Sequence, residues 1–173
     1  LEVSNFAREA GLSYPTTKKY LNNMYFSELT FRLYGYQYGQ AKRFIKAAKT
    51  YFSDNGIITS LNIPLNEGQL LENFVISEFE KRRKLGLIKC DRMYYYKSAA
   101  GREIDLIFEN GNDMYAIEIK RTLRPSGRDI RNLQEFSKAM KKRVKMYLFY
   151  PGDEYSSIDD VKVIPVAGIF RGK

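Results

Sequence analysis

Two short extended runs, Glu103-Ile104-Asp105-Leu106-Ile107-Phe108 and Ala116-Ile117-Glu118-Ile119-Lys120, bring carboxylates and a lysine to regular positions. Side chains alternate across a strand, so Asp105 is expected to share a face with Glu103 and Ile107. By the same rule Glu118 and Lys120 share one face, while Ile117 and Ile119 enter the opposite core. The intervening Asn110-Gly111-Asn112-Asp113 is rich in turn formers and predicts an antiparallel hairpin. That hairpin sets Asp105 beside Glu118 and Lys120 at one end of a sheet. Two converging carboxylates repel each other unless a cation lies between them. A magnesium or manganese ion held by Asp105 and Glu118, with the Ile119 carbonyl as a further ligand, would relieve the repulsion. It would also acidify a bound water, which Lys120 could position, or Lys120 could stabilise charge developing at a phosphorus. Taken singly, each residue reads as a solvated strand face, because Glu-x-Lys is a common pattern; the ordered set points to phosphodiester chemistry.

A helix is expected to supply a fourth carboxylate. From about Asn66 to Lys84, Leu71, Phe74, Val75, Ile76 and Phe79 fall on one apolar arc at 100° per residue. Glu72 lies inside that arc, where a carboxylate needs a partner, and the metal cluster offers one. Glu78 lies inside it too, so position alone does not single out Glu72. Strands are expected at about 92–97, 103–109 and 114–120, a helix from Ser126 to about Lys141, and further strands at 144–150 and 161–166. Mixed strands flanked by two helices predict a three-layer α/β domain over residues 63–173. Arg102 stands just before the first carboxylate run, and Arg121, Arg124 and Arg128 follow the second. Arginines so placed suit the phosphates of a substrate strand.

Composition narrows the chemistry further. The 173 residues are 44% hydrophobic and 28% charged, an ordinary balance for a folded chain. Histidine is absent and Cys90 is the single cysteine, which excludes His-based nuclease sites, Ser-His or Cys-His triads within this chain, the usual zinc sites and an intrachain disulfide framework. A reducing cytoplasm is the expected compartment. No stretch approaches the run of about 18 apolar residues that a membrane span needs, so no membrane partner is expected. Lys and Arg number 29 against 20 acidic residues, a net +9 that favours polyanions; nucleic acid, DNA foremost, is the commonest of these. An acidic protein partner or a merely solubilising surface would account for the same excess.

Residues 1–62 are expected to form a helix-turn-helix-like segment and connector. Val3, Phe6 and Ala10 have helical spacing, Gly11-Leu12-Ser13 makes a turn, and Ser13 and Pro15 suit the start of a second helix. That helix should turn Thr16, Thr17, Lys18 and Lys19 outward, toward a nucleic-acid groove, and Tyr20 and Leu21 inward. A helical hairpin used only for packing has the same pattern. Leu29–Tyr34 alternates as a strand or wing, Lys42 and Arg43 belong to a basic cluster, and Lys49–Phe52 reads as a short strand broken by Asp54-Asn55-Gly56.

The runs GREIDLIF (101–108) and YAIEIK (115–120) together resemble the signature of the PD-(D/E)XK nuclease superfamily. More closely, the chain is similar to the C-terminal domain of unknown function found in many prokaryotic AAA+ ATPases. PTTKKYL (15–21), KTYFSDNG (49–56) and GQLLENFV (68–75) agree with that likeness. The resemblance implies a (winged) helix-turn-helix followed by a nuclease-like domain with a mixed sheet, and carries Glu72, Asp105, Glu118 and Lys120 to the expected site positions. It implies that an ATPase domain precedes Leu1 in the parent protein, so that ATP would enter only through that domain and oligomers could form. Two departures stand in the connector: Ala48 where relatives tend to have proline, and Asn55 where they tend to have a small hydroxylated residue.

Overall fold

The strand and helix pattern of the C-terminal two thirds folds much as its periodicity predicts. In the computed structural model, which describes residues 7–8, 10–36, 48–98 and 100–170, the elements are α1 (Tyr14–Phe26), β1 (Thr30–Gly35), β2 (Lys49–Phe52), α2 (Asn55–Ser60), α3 (Glu67–Lys84), β3 (Met93–Lys97), β4 (Glu103–Asn110), β5 (Asp113–Ile119), α4 (Gly127–Ala139), β6 (Arg143–Tyr150), β7 (Ser156–Ile158) and β8 (Val161–Pro165). A short 3-10 helix, Val166–Phe170, follows. The architecture is mixed α/β: four α-helices among the described residues and one eight-stranded mixed sheet, ordered β2-β1-β3-β4-β5-β6-β8-β7. None of these helices is long and apolar enough to cross a membrane.

Local chemistry accounts for the boundaries. Asn66 caps α3 in a reciprocal box: its side chain accepts from the Gln69 amide, and the Gln69 side chain accepts from the Asn66 amide. Lys81, Arg82, Arg83 and Lys84 crowd the last turn, where cations oppose the helix dipole. Between β4 and β5 the loop is two residues long, with Gly111 at φ 61°, a glycine-first geometry that matches strand twist. Asp54 caps α2, so the segment expected only to break β2 instead starts a helix.

The sheet separates two apolar layers. On one side Val75 and Ile76 of α3 pack with Leu106, Phe108, Ile117, Ile119 and Phe149. On the other, Ile130, Leu133 and Phe136 of α4 pack with Ile104, Ile107, Ala116 and Leu148. This pairing corrects the expected alternation in β4. Between the pairs Tyr94↔Ile107 and Tyr96↔Ile104 the register shifts, so Asp105 and Leu106 both stand opposite the single residue Tyr95. Ile104 and Ile107 therefore lie in one layer, and Asp105 no longer shares a face with Ile107. A bulge of this kind re-aims one side chain without ending the strand.

In the N-terminal part, α1 begins at the expected place, with the Ser13 side chain accepting from the Thr16 amide and Gly11 at φ 63° in the turn before it. Most of the segment expected to form the preceding helix, with Val3 and Phe6, lies outside the described residues, as do Lys42 and Arg43. The expected orientation of α1 is partly reversed: Thr17 is buried and Tyr20 is exposed, while Lys18 and Lys19 face solvent. β1 and β2 join the large sheet, β1 lying parallel to β3 and antiparallel to β2.

Asn73, buried in α3, ties these parts together. It accepts from the Phe52 amide at 2.8 Å, donates to the Phe52 carbonyl at 3.1 Å and donates to Asn55 Oδ1 at 2.8 Å. Asn55 in turn donates to the Leu70 carbonyl at 2.9 Å. Removing the amide leaves the part-buried Phe52 amide and carbonyl without these partners. Asn73→Leu is expected to lower unfolding free energy by about 2–4 kcal/mol, read from urea denaturation.

Candidate active site

β5 and β6 run parallel, and β5 delivers Glu118, Ile119 and Lys120 at its C-terminal end. Clefts at the carboxyl ends of such strands are where open α/β sheets bind ligands. The ladder between β4 and β5 runs from Leu106↔Ile117 to Asn110↔Asp113, and Asp105 sits just beyond its end. Instead of a strand partner, Asp105 Oδ2 accepts the Ile119 amide at 2.8 Å. Glu118 is 3% exposed, and its Oε2 has no hydrogen-bond partner. Its Oε1 meets the Lys120 ammonium at 2.5 Å.

The electrostatics follow from this placement. Burial first, then the charge of Glu72, pushes the Asp105 carboxyl up to about 6 against the pull of the Ile119 amide, Lys49 and Lys120. Burial first, then the charge of Asp105, pushes Glu118 up to about 8 although Lys120 favours its ionised form. The two carboxyls therefore titrate as an interacting pair. Burial pulls the Lys120 ammonium down, but the charge and hydrogen bond of Glu118, with Asp105 and Asp129, outweigh it and leave the group raised.

Of the two glutamates inside the α3 arc, only Glu72 reaches this cluster. Glu78 is satisfied by Lys81 at 2.8 Å and Arg82 at 2.6 Å. Glu72 Oε1 accepts from the Tyr51 hydroxyl at 2.7 Å and from Lys49 at 3.4 Å. Lys49 also pairs with Glu103 and lies over the Tyr95 ring, 5.4 Å from its centroid. Burial and the charge of Glu72 push the Tyr51 phenol far above its ordinary value, so it stays protonated and donates to Glu72. Lys49, Tyr51 and Glu103 are site residues that the carboxylate motif did not identify. The signal was present: Lys49 and Tyr51 are two apart in one strand and so share a face.

The arginines behave differently from one another. Arg102 pairs with Glu135, and Arg121 with Glu67. Arg124 and Arg128 are exposed around the start of α4. Arg121 also borders a groove of about 630 Å³ lined by Leu70, Leu71, Phe74, Leu123 and Pro151. For metal binding, the donors at hand are the hard oxygens of Asp105 and Glu118. Among the described residues, no group of three or more acidic, cysteine or histidine side chains is assembled to hold an ion. Two carboxylates suffice for magnesium, which keeps several waters and is commonly bound through one or two carboxylates. The unpartnered Glu118 Oε2 fits that requirement.

Raised carboxyl values fix the sign of a pH effect. The folded state holds these protons more tightly than the unfolded chain, so the associated stability is full below about pH 4 and drains as pH rises through 6 and 8. Asp54, Glu78, Glu109 and Asp113 are shifted the other way and act only in more acid solution. In EDTA, unfolding free energy is expected to fall between pH 5 and pH 8.5 by up to about 1.4 kcal/mol per pH unit for each titrating carboxyl. Glu118→Gln should flatten that slope; an unchanged slope in denaturant titrations would refute the assignment.

No curated protein matches the chain. Among solved structures, it is similar to one described as a refined half-complex from the tetradecameric assembly of Thermococcus gammatolerans McrB AAA+ hexamers with bound McrC. The likeness has 13% identity and a TM-score of 0.36, and it covers 58% of this chain and 28% of that one. A family model, DUF8612, a domain of unknown function, matches residues 1–69. Another, DUF4143, a domain of unknown function, matches residues 67–169, more than half of the sequence and every carboxylate of the motif. The chain belongs to the DUF4143 family.

Proposed function

We propose that this chain is a magnesium- or manganese-dependent phosphodiesterase of the PD-(D/E)XK type that acts on DNA. The observation that carries the reading is the buried Glu118 carboxylate, with one oxygen unpartnered, beside the half-buried Asp105. Asp105 and Glu118 would hold the ion, which when bound would acidify a water and offset charge on a phosphoryl oxygen. Asp105 is held in place by the Ile119 amide, so its carboxylate is oriented before any ligand arrives. Lys120, already a cation against Glu118, is the group that would stabilise charge developing on the phosphoryl oxygens. Glu72, fixed by Tyr51, supports the cluster from the α3 side.

Lys18 and Lys19 on α1, together with Arg121, Arg124 and Arg128, supply exposed cations for a phosphate backbone. In this reading α1 is the second helix of a helix-turn-helix. The family resemblance leads us to place the module behind an ATPase domain of the parent protein, which would be its partner and its link to ATP.

A second reading is a DNA-binding or regulatory module that keeps the fold without cutting. It is favoured by Glu72, which is engaged by Tyr51 and Lys49 rather than free to complete a three-carboxylate cluster.

Incubation with plasmid and branched DNA in magnesium or manganese separates the readings. The native chain should nick DNA, and Glu118→Ala should reduce the rate by about 100-fold or more while DNA affinity persists. Binding without cleavage by the native chain would sink the first reading and leave the second. In either case Lys18→Ala with Lys19→Ala should make the plot of log affinity against log salt shallower, by about 1 for each phosphate these lysines neutralise.

A further inference from the structure

Lys49 has an unusual set of neighbours for a strand lysine. It comes from β2, the edge strand of the sheet, yet it pairs with Glu103 of β4 and with Glu72 of α3, and it feels the charge of Asp105. Two carboxylates from different elements thus meet one ammonium, with the charge of Asp105 acting on it as well. The Tyr95 ring lies against the ammonium, and Tyr51, two residues along the same strand, holds the Glu72 oxygen that Lys49 touches. Lys97 lies 3.8 Å from the other oxygen of Glu103. Carboxylates gathered this closely need a compensating cation.

We propose that Lys49 is that cation, built into the chain: its ammonium stands where a divalent ion bridging Glu72 and Glu103 would otherwise sit. This inference rests on the proposed phosphodiesterase site in one respect, that Asp105 and Glu118 take a divalent ion of their own. Lys49 then limits the site to that single ion and reserves Glu72 as a hydrogen-bond acceptor. Because Lys49 belongs to the N-terminal segment matched separately from the DUF4143 region, the site is completed by a residue from outside that region.

Such a role is more than a structural tie. An ammonium carries three donors and one charge at a fixed place, and arginine can keep the charge while methionine keeps only the length. Without that charge, Glu72 and Glu103 would be left facing a place open to a divalent ion.

The test is the number of Mn2+ ions bound per chain, measured by calorimetry on the 173-residue protein. Lys49→Met should bind one ion more than the native chain, Lys49→Arg should bind no more than the native chain, and Lys49→Met with Glu72→Gln should lose the added ion. Equal numbers for the native chain and a folded Lys49→Met would overturn the proposal. The native count tests the underlying site separately: zero ions, or one ion that survives Glu118→Gln, would refute the Asp105–Glu118 site without touching the difference made by Lys49. Should Lys49→Met fail to fold, manganese-soaked crystals of the native protein decide the matter. An anomalous peak between Glu72 and Glu103 would refute the proposal, and none within reach of Lys49 would uphold it.

Discussion

Asp105 and Glu118 stand where β4 and β5 leave off pairing, and Glu118 at least is almost wholly withdrawn from water. A carboxylate in that position is costly unless it is neutralised, hydrogen-bonded or paired with a cation. The surroundings use all three means. The Ile119 amide serves Asp105, Lys120 serves one oxygen of Glu118, and the remaining burden raises both carboxyls above their ordinary range. What is left over is a single buried oxygen without a partner. A fold that only needed to be stable would fill this place with apolar side chains, since replacing buried ionic groups by well-packed hydrophobic ones is often neutral or stabilising.

Several departures from regular structure serve that arrangement. The bulge at Asp105 and Leu106 lets β4 keep apolar residues on both faces while turning one carboxylate toward Ile119. Parallel β5 and β6 bring their C-terminal ends to one edge, where Lys120 continues the ladder by donating to the Phe149 carbonyl at 3.0 Å. Asn73 commits its whole amide to β2 and α2, and this fixes the strand from which Lys49 and Tyr51 reach the cluster. Asn55 contributes to the same lock through its bond to the Leu70 carbonyl. Local rules are broken here and obeyed elsewhere, as expected where a site rather than the core decides the sequence.

The legible parts of the sequence were those in which one local signal suffices. The apolar arc of α3, the Gly111 hairpin and the alternation of β5 all place their elements within a residue or two. Alternation misled at Asp105, because a bulge changes face without changing composition. The polar trio Asp54-Asn55-Gly56 reads as a break, yet an aspartate before a short helix is also a cap, and the two uses look alike from outside. On α1 the polar–apolar rule assigned Thr17 outward and Tyr20 inward; a threonine is small enough to be buried, and a tyrosine carries a hydroxyl that water satisfies. The spacing of Lys49 and Tyr51 puts them on one face of β2, but that this face meets the carboxylates is decided by tertiary packing of an edge strand.

The cations of the chain divide by how firmly they are held, and this bears on the +9 excess more than their number does. Arg121 and Glu67 are both more than half exposed, and ion pairs of that kind contribute roughly 0–1 kcal/mol. A phosphate could displace Glu67 at little cost, so the pairing does not remove Arg121 from a nucleic-acid surface. Arg102, also more than half exposed, stands in a similar position with Glu135. Lys49 is different: it is mostly covered and shared between Glu72 and Glu103, so taking it away would leave Glu72 with only the Tyr51 hydroxyl and Glu103 with only the more distant Lys97. The exchangeable cations lie on the outside, where a polyanion would meet them. The fixed ones, Lys49 and Lys120, lie within the carboxylate cluster, where they set how many further positive charges the cluster can accept.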